Sequence, residues 1–239
     1  MTNLKLLGIN VDSISEEEIY DYILILSKQE RPIQIVLLDT YLLMKAKFNK
    51  ELANIINSSE LVIPISKGIK FGLGFFKKKV DHVYNYFSFI IKLLAHFTDF
   101  KKNIYILGGN ERTIKRAEKN IKSSFPGIRL MGRYHIHYKK DFEKDLITAI
   151  RKTDPALTII SMKRPKQEKW IAARLSNFKS GVFIGVENFI DIIGSRSSSE
   201  RNINKSSYRG KIIARNPFRI FYYIFYLILL IIAKITGKD

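Results

Sequence analysis

Apolar positions in this chain follow two rhythms. Short unbroken apolar runs, of strand length, occur at residues 35–38, 61–63, 104–107, 157–160 and 182–184. Runs without a polar face predict strands that are covered on both sides. Helical spacing fills the intervals. Ser15 and Glu18 form a capping pair that opens a helix through Ile19, Tyr20, Ile23, Leu24 and Leu26. Asn110 is placed to cap a helix through Ile114, Ala117 and Ile121. Residues 142–150 read as a further helix, and 168–175 as a shorter one. Strands alternating with helices predict an α/β fold with a mostly parallel sheet between helical layers.

The pattern changes near the end of the chain. Residues 195–207 are polar and rich in Ser, Asn and Arg, and mark a boundary between a body, residues 1–194, and an appendage, residues 195–239. Residues 220–233 then carry no charge and read IFYYIFYLILLIIA. Fourteen helical residues span about 21 Å, short of the roughly 30 Å hydrocarbon core of a bilayer. A tilted or interfacial helix fits better than a full span. The run is apolar on every face, and it follows Arg196, Arg201, Lys205, Arg209, Lys211, Arg215 and Arg219 against the single acid Glu200. A basic stretch entering an aromatic-rich apolar helix suits an anionic membrane surface, here through residues 196–235. The alternative is a terminal helix packed on the body. Residues 1–11 lack the features of a secretory signal, so the expected location is the cytoplasmic face of the membrane.

Composition narrows the chemistry. The 239 residues include no cysteine, which excludes disulfides, thiol catalysis and Cys-ligated metals. Lys and Arg number 41 against 22 Asp and Glu, a formal net charge of +19 that calls for an anionic partner. Basic residues are spread along the chain and aromatics sit within apolar runs, which argues against a nucleic-acid platform. His135 and His137 lack a third ligand at metal-binding spacing, so no metal is expected. Lys67, Lys70, Lys77, Lys78 and Lys79 form an acid-free cluster that reads as a solvated or lipid-facing surface.

Three segments follow predicted strands, where open α/β sheets bind ligands. Gly108, Gly109 and Asn110 join a strand to a helix start, a geometry that admits a phosphate and serves any tight turn equally well. Pro165, Lys166, Gln167 and Glu168 begin the helix after residues 157–160, with Lys166 and Gln167 placed to offer a cation and an amide. On spacing alone a solvated helix start explains them as well. Glu187, Asn188 and Asp191 follow residues 182–184 as acid/base or turn residues.

Taken in order, these pieces resemble the WecG/TagA/CpsF glycosyltransferase family. Gly8-Ile9-Asn10-Val11-Asp12 is similar to the family's G-x-x-V-D opening, and Ser59-Glu60-Leu61-Val62-Ile63-Pro64 to its A-D-L-V-x-P strand. Pro165-Lys166-Gln167-Glu168-Lys169-Trp170-Ile171 matches its P-K-Q-E-x-W-I signature, and Gly185-Val186 with Phe189 and Asp191 resembles its G-V-G-G-x-F-D. The resemblance covers residues 5–194, and Asn216-Pro217-Phe218-Arg219 looks like the closing E-P-x-R. It implies a Rossmann-like body and inverting transfer of a sugar from a UDP-sugar, without a metal or other cofactor. The implied acceptor is a polyprenyl-diphosphate-linked saccharide of cell-surface polysaccharide synthesis. It also implies donor or substrate contacts at Lys79, Gly108, Gly109, Asn110, Pro165, Lys166, Gln167, Glu168, Glu187 and Asn188, completed by Arg209, Arg215 and Arg219 of the appendage.

The chain departs from the family pattern at the reacting end. The family's T-P-N-A falls on Leu37-Leu38-Asp39-Thr40, and its P-D-G, with the general-base aspartate, on Pro64-Ile65-Ser66. R-V-T-G falls on Lys79-Val80-Asp81-His82, and the second glycine pair on Glu187-Asn188. Ile65 accepts no proton. Asp39 or Glu187 replacing the base, ligand binding without turnover, and a pocket rebuilt for another sugar are all open on sequence grounds. Asp39 is the replacement base named here.

Overall fold

A computed structural model describes residues 1–136, 142–195 and 219–237. Six parallel strands form the central sheet: β3 (Ile33–Leu38), β4 (Leu61–Pro64), β5 (Asn103–Gly108), β6 (Arg129–Tyr134), β7 (Leu157–Ser161) and β8 (Val182–Gly185). Their spatial order is β4-β3-β8-β7-β5-β6. The five predicted runs are all strands of this sheet. Strand β6 went unforeseen because its RLMGRY sequence is half-exposed and lacks an apolar run.

Strand β3 shows why such runs become central strands. All six of its residues are buried, and the pleat sends alternate side chains to opposite faces. Ile33, Ile35 and Leu37 join one core, and Val36 and Leu38 the other. Helices α1 (Ile19–Leu26), α5 (Tyr86–Asp99), α6 (Glu111–Ser124) and α9 (Phe189–Ile193) cover the first face. The second face is covered by α2 (Thr40–Lys47), α3 (Lys50–Asn57), α4 (Lys67–Phe75), α7 (Glu143–Thr153) and α8 (Lys166–Arg174). The predicted Ser15–Glu18 pair makes contact, with Glu18 N–H donating to Ser15 Oγ at 3.3 Å and Ser15 Oγ 2.9 Å from Glu18 Oε2, but it closes the turn before α1, whose N-cap is Glu18.

An antiparallel hairpin, β1 (Thr2–Leu6) with β2 (Ile9–Ser13), lies outside the main sheet. Leu7 and Gly8 form its two-residue turn, with φ of 52° and 87°. Asp12 fastens the hairpin to the sheet edge. Its Oδ2 accepts Val62 N–H of β4 at 2.7 Å, and its Oδ1 accepts the Asn3 amide at 2.8 Å. The aspartate of the G-x-x-V-D opening therefore satisfies an edge-strand donor.

The terminal helix α10 (Arg219–Thr236) includes the whole uncharged run. It is docked rather than free. Tyr226, Leu230 and Ala233, one helical stripe, are buried in the second core beside Leu6, Leu43 and Leu73. The sequence had shown no stripe, because the opposite side of the helix is equally apolar. Among the described residues, no helix is long and apolar enough to cross a membrane.

Candidate active site

The carboxyl ends of β4, β3, β8 and β7 lie side by side and bring four segments together. Asp39 follows β3 and caps α2: its Oδ1 accepts Leu42 N–H at 2.7 Å. Its Oδ2 pairs with Arg164 Nη1 at 2.7 Å. Arg164 comes from the loop after β7, two strands away, and its side chain is only 3% exposed. The guanidinium packs on the Tyr86 ring, and its Nε lies 3.8 Å from Glu168 Oε1. Tyr86 donates its hydroxyl to the Glu187 carbonyl at 2.6 Å, tying α5 to the end of β8.

A buried guanidinium therefore sits among Asp39, Glu168 and Glu187. Burial pulls its pKa down, but attraction by Asp39, then by Tyr86, Glu168 and Glu187, outweighs burial and holds the value above normal. The Glu168 carboxyl shifts up. Its burial outweighs the opposing effects of Arg164 and the Gln167 amide. Asp39 is the most accessible acid of the ion-paired cluster, with 20% of its side chain exposed against 3% for Glu168.

The signature segment is mostly inward-facing. Gln167 is fully buried, donates to Glu168 Oε1 at 2.9 Å, and lies flat on Gly185. A Cβ on Gly185 would come within 2.8 Å of the Gln167 amide, so glycine there is a packing requirement. Gln167 thus does not present its amide at the surface as its position at a helix start predicts. Lys166, the first residue of α8, is exposed. Pro165 precedes the helix rather than opening its first turn. Trp170 and Arg174 both bind Glu143 of α7, at 3.1 and 2.7 Å, which gives the tryptophan a role in helix packing.

Glu187 and Asn188, which the resemblance sets against a glycine pair, are a buried acid and a residue with a left-handed backbone, φ of 60°. Asparagine is among the non-glycine residues that best tolerate this conformation. Ile65, which the resemblance sets against the family's aspartate, is 8% exposed and packs into the first core. Beside it, Ser66 caps α4 and lies 3.0 Å from Thr40 Oγ1, linking the first turns of α2 and α4.

The Gly108–Asn110 turn lies farther along the same edge. Gly109 has φ of 61°, and Asn110 caps α6 by accepting Thr113 N–H at 2.8 Å. An open cleft of about 670 Å³ is lined there by Asn110, Arg112, Thr113 and Arg116 among others. Lys79 is exposed beyond α4, and none of its hydrogen bonds or ion pairs among the described residues reaches the Arg164 cluster. Arg209 and Arg215 lie outside the described residues. Arg219 is the first residue of α10. The start of α10 meets α2 near the site edge, where Tyr222 packs on Tyr41 with ring centres 5.3 Å apart. Arg164 and Tyr86 are the residues that sequence reasoning missed, and no spacing signal connects either with Asp39.

Curated relatives and a family profile bear on this architecture. Two N-acetylglucosaminyldiphosphoundecaprenol N-acetyl-beta-D-mannosaminyltransferases, from Staphylococcus aureus strains NCTC 8325 / PS 47 and COL, are each 26% identical over 100 residues. The match spans 41% of this chain and 37% of each relative. The model of the glycosyl transferase WecG/TagA/CpsF family matches residues 4–199. With that match over most of the body, and the P-K-Q-E-x-W-I segment at the carboxyl end of β7, the chain belongs to the WecG/TagA/CpsF glycosyltransferase family.

Proposed function

We propose that this protein is a membrane-associated inverting glycosyltransferase of cell-surface polysaccharide synthesis. It moves a sugar from a UDP-sugar to a polyprenyl-diphosphate-linked saccharide at the cytoplasmic face of the membrane. The observation that carries the reading is the family match together with its signature segment at the ligand-binding edge of the sheet. The relatives' names specify an N-acetylglucosaminyl-diphosphoundecaprenol acceptor and N-acetylmannosaminyl transfer. The same pair is proposed for this chain.

In this reading the Gly108–Asn110 turn and the start of α6 receive donor phosphates on backbone N–H groups. Lys166 and Lys79 add positive charge, with Arg209, Arg215 and Arg219 of the appendage closing over the diphosphate. Pro165, Gln167 and Glu168 shape the floor of the site, and Glu187 and Asn188 its wall. Asp39 takes the acceptor proton, as its accessibility within the Arg164 cluster favours. Purified protein with UDP-N-acetylmannosamine and N-acetylglucosaminyl-diphosphoundecaprenol should release UDP. Asp39→Asn should abolish release and leave UDP affinity within about threefold, since chemistry and binding are separable. Loss of UDP binding in that variant would reassign Asp39 to the donor pocket.

One observation favours a second reading, a subunit that binds the ligands without turnover: Ile65, which the resemblance sets at the position of the family's base, is a core residue. Calorimetric binding of UDP, with no release from any UDP-sugar in a broad donor screen, would select it.

A further inference from the structure

We infer that the membrane-contacting surface is composite, built by the body helices α2 and α4 together with the outer face of α10, and that its partner is an anionic lipid bilayer. The inference rests on the membrane association proposed above and extends it beyond the appendage. Docking of α10 leaves Phe221, Ile224, Ile228 and Ile231 exposed on its far side. Two body residues continue that surface. Phe48, at the end of α2, is 60% exposed with its ring centre 5.5 Å from Phe225. Phe71 of α4 is 55% exposed and packs on Phe75, which lies under Lys234 of α10. Scattered exposed phenylalanines need no explanation, but a contiguous patch of this kind marks an interaction surface.

Charge identifies the partner. Helices α2, α4 and α10 contain no Asp or Glu, while each of the other α-helices named above contains at least one. The three acid-free helices are neighbours in one core and share one face of the molecule. Lys47, Lys67, Lys70 and Lys77 are exposed on or beside them, and the sequence has no acid from residue 61 to residue 80. Aromatic side chains at the level of the headgroups, rimmed by lysines that reach anionic phosphates, fit a bilayer surface. Helices α2 and α4 both begin at the carboxyl edge of the sheet. A bilayer on this face would therefore lie beside the candidate site, within reach of a lipid-linked acceptor.

The test uses the full chain and vesicles of phosphatidylglycerol and phosphatidylcholine in equal parts. Phe48→Ser with Phe71→Ser should lower vesicle partitioning about tenfold or more, the effect of losing two partly inserted rings. Both residues are exposed, so unchanged thermal melting is expected. Phe100→Ser, 51% exposed at the end of α5 on the opposite layer, should leave partitioning unchanged. Wild-type partitioning in the double variant, with loss only on replacing Phe221 and Ile228 by serine, would overturn the composite surface while leaving membrane association standing. Failure of the wild type to bind vesicles would remove both. Conversion of an oligomer to a monomer by the double variant, with vesicle binding intact, would assign the face to a second copy of the chain and overturn the proposal.

Discussion

A fully buried arginine among three carboxylates dominates the residue scale of this protein. Removing a charge from water is expensive unless hydrogen-bonded partners compensate, and among the described residues Arg164 pairs closely with Asp39 and at longer range with Glu168. Glu168 is held in a place that favours its neutral form. Its raised folded-state pKa contributes stability that is complete below the ordinary carboxylate value of 4.5 and is lost as pH rises through the folded value. Wild-type stability should therefore fall from pH 4.5 upward relative to Glu168→Gln, whose profile lacks that contribution. Urea unfolding of both proteins from pH 4.5 to 8 reads the difference. A stability difference, wild type minus Glu168→Gln, that stays constant or increases with pH would contradict the assignment. The sequence exposes Asp39, Glu168 and Glu187 as separate polar points after apolar runs. Their meeting around Arg164 depends on β8 being inserted between β3 and β7, a pairing across about 150 residues that no local pattern encodes.

At the element scale, α10 is a helix with two apolar sides and two different environments. Its inner stripe is fixed by close contact with α4. Tyr226 donates its hydroxyl to the Gly68 carbonyl at 2.8 Å, and a Cβ on Gly72 would come within 1.9 Å of that hydroxyl. Gly72→Ala should therefore expel Tyr226 and loosen α10, with the 1–3 kcal/mol loss that is roughly typical of overpacking. Adding Tyr226→Phe removes the overlapping hydroxyl while keeping the buried ring, and should restore most of the protection of α10, read by amide hydrogen exchange. Equal protection in wild type and Gly72→Ala would show that the contact yields without strain. The helix itself is legible in the sequence, although it runs for 18 residues and so extends beyond the uncharged stretch at both ends. The choice of docking stripe is not, because nearly every face of the run is apolar and the glycines of α4 decide which one fits.

For the whole molecule, the appendage belongs to the core as well as to the surface. Tyr226 and Leu230 are almost completely buried, and burial of two such side chains contributes about 3–6 kcal/mol as an upper estimate. Deleting residues 218–239 should release the protein from membranes and also lower its stability by an appreciable part of that sum. Chemical denaturation of the truncated chain measures the second effect, and an unchanged midpoint would mean that α10 adds nothing to the body. The net charge of +19 also acquires a direction at this scale. Acids are absent from one group of neighbouring helices, so the part of the positive charge that falls there has no opposing charge on the same helices.

The sequence by itself determined the α/β class, five of the six sheet strands, the Ser15–Glu18 pair before α1, the helix cap at Asn110, the family signature at residues 165–171 and the apolar terminal helix. All of these are written in short-range periodicity, capping chemistry or contiguous motifs. By the family resemblance, it also puts Ile65 where the general-base aspartate is expected. Only the tertiary structure decided that Gln167 turns inward onto Gly185, that Asp39 is clamped by Arg164, and that α10 docks by one stripe while its outer face joins Phe48 and Phe71. Those outcomes depend on strand order and on which surfaces fit without overlap. Both are properties of contacts between residues far apart in the chain.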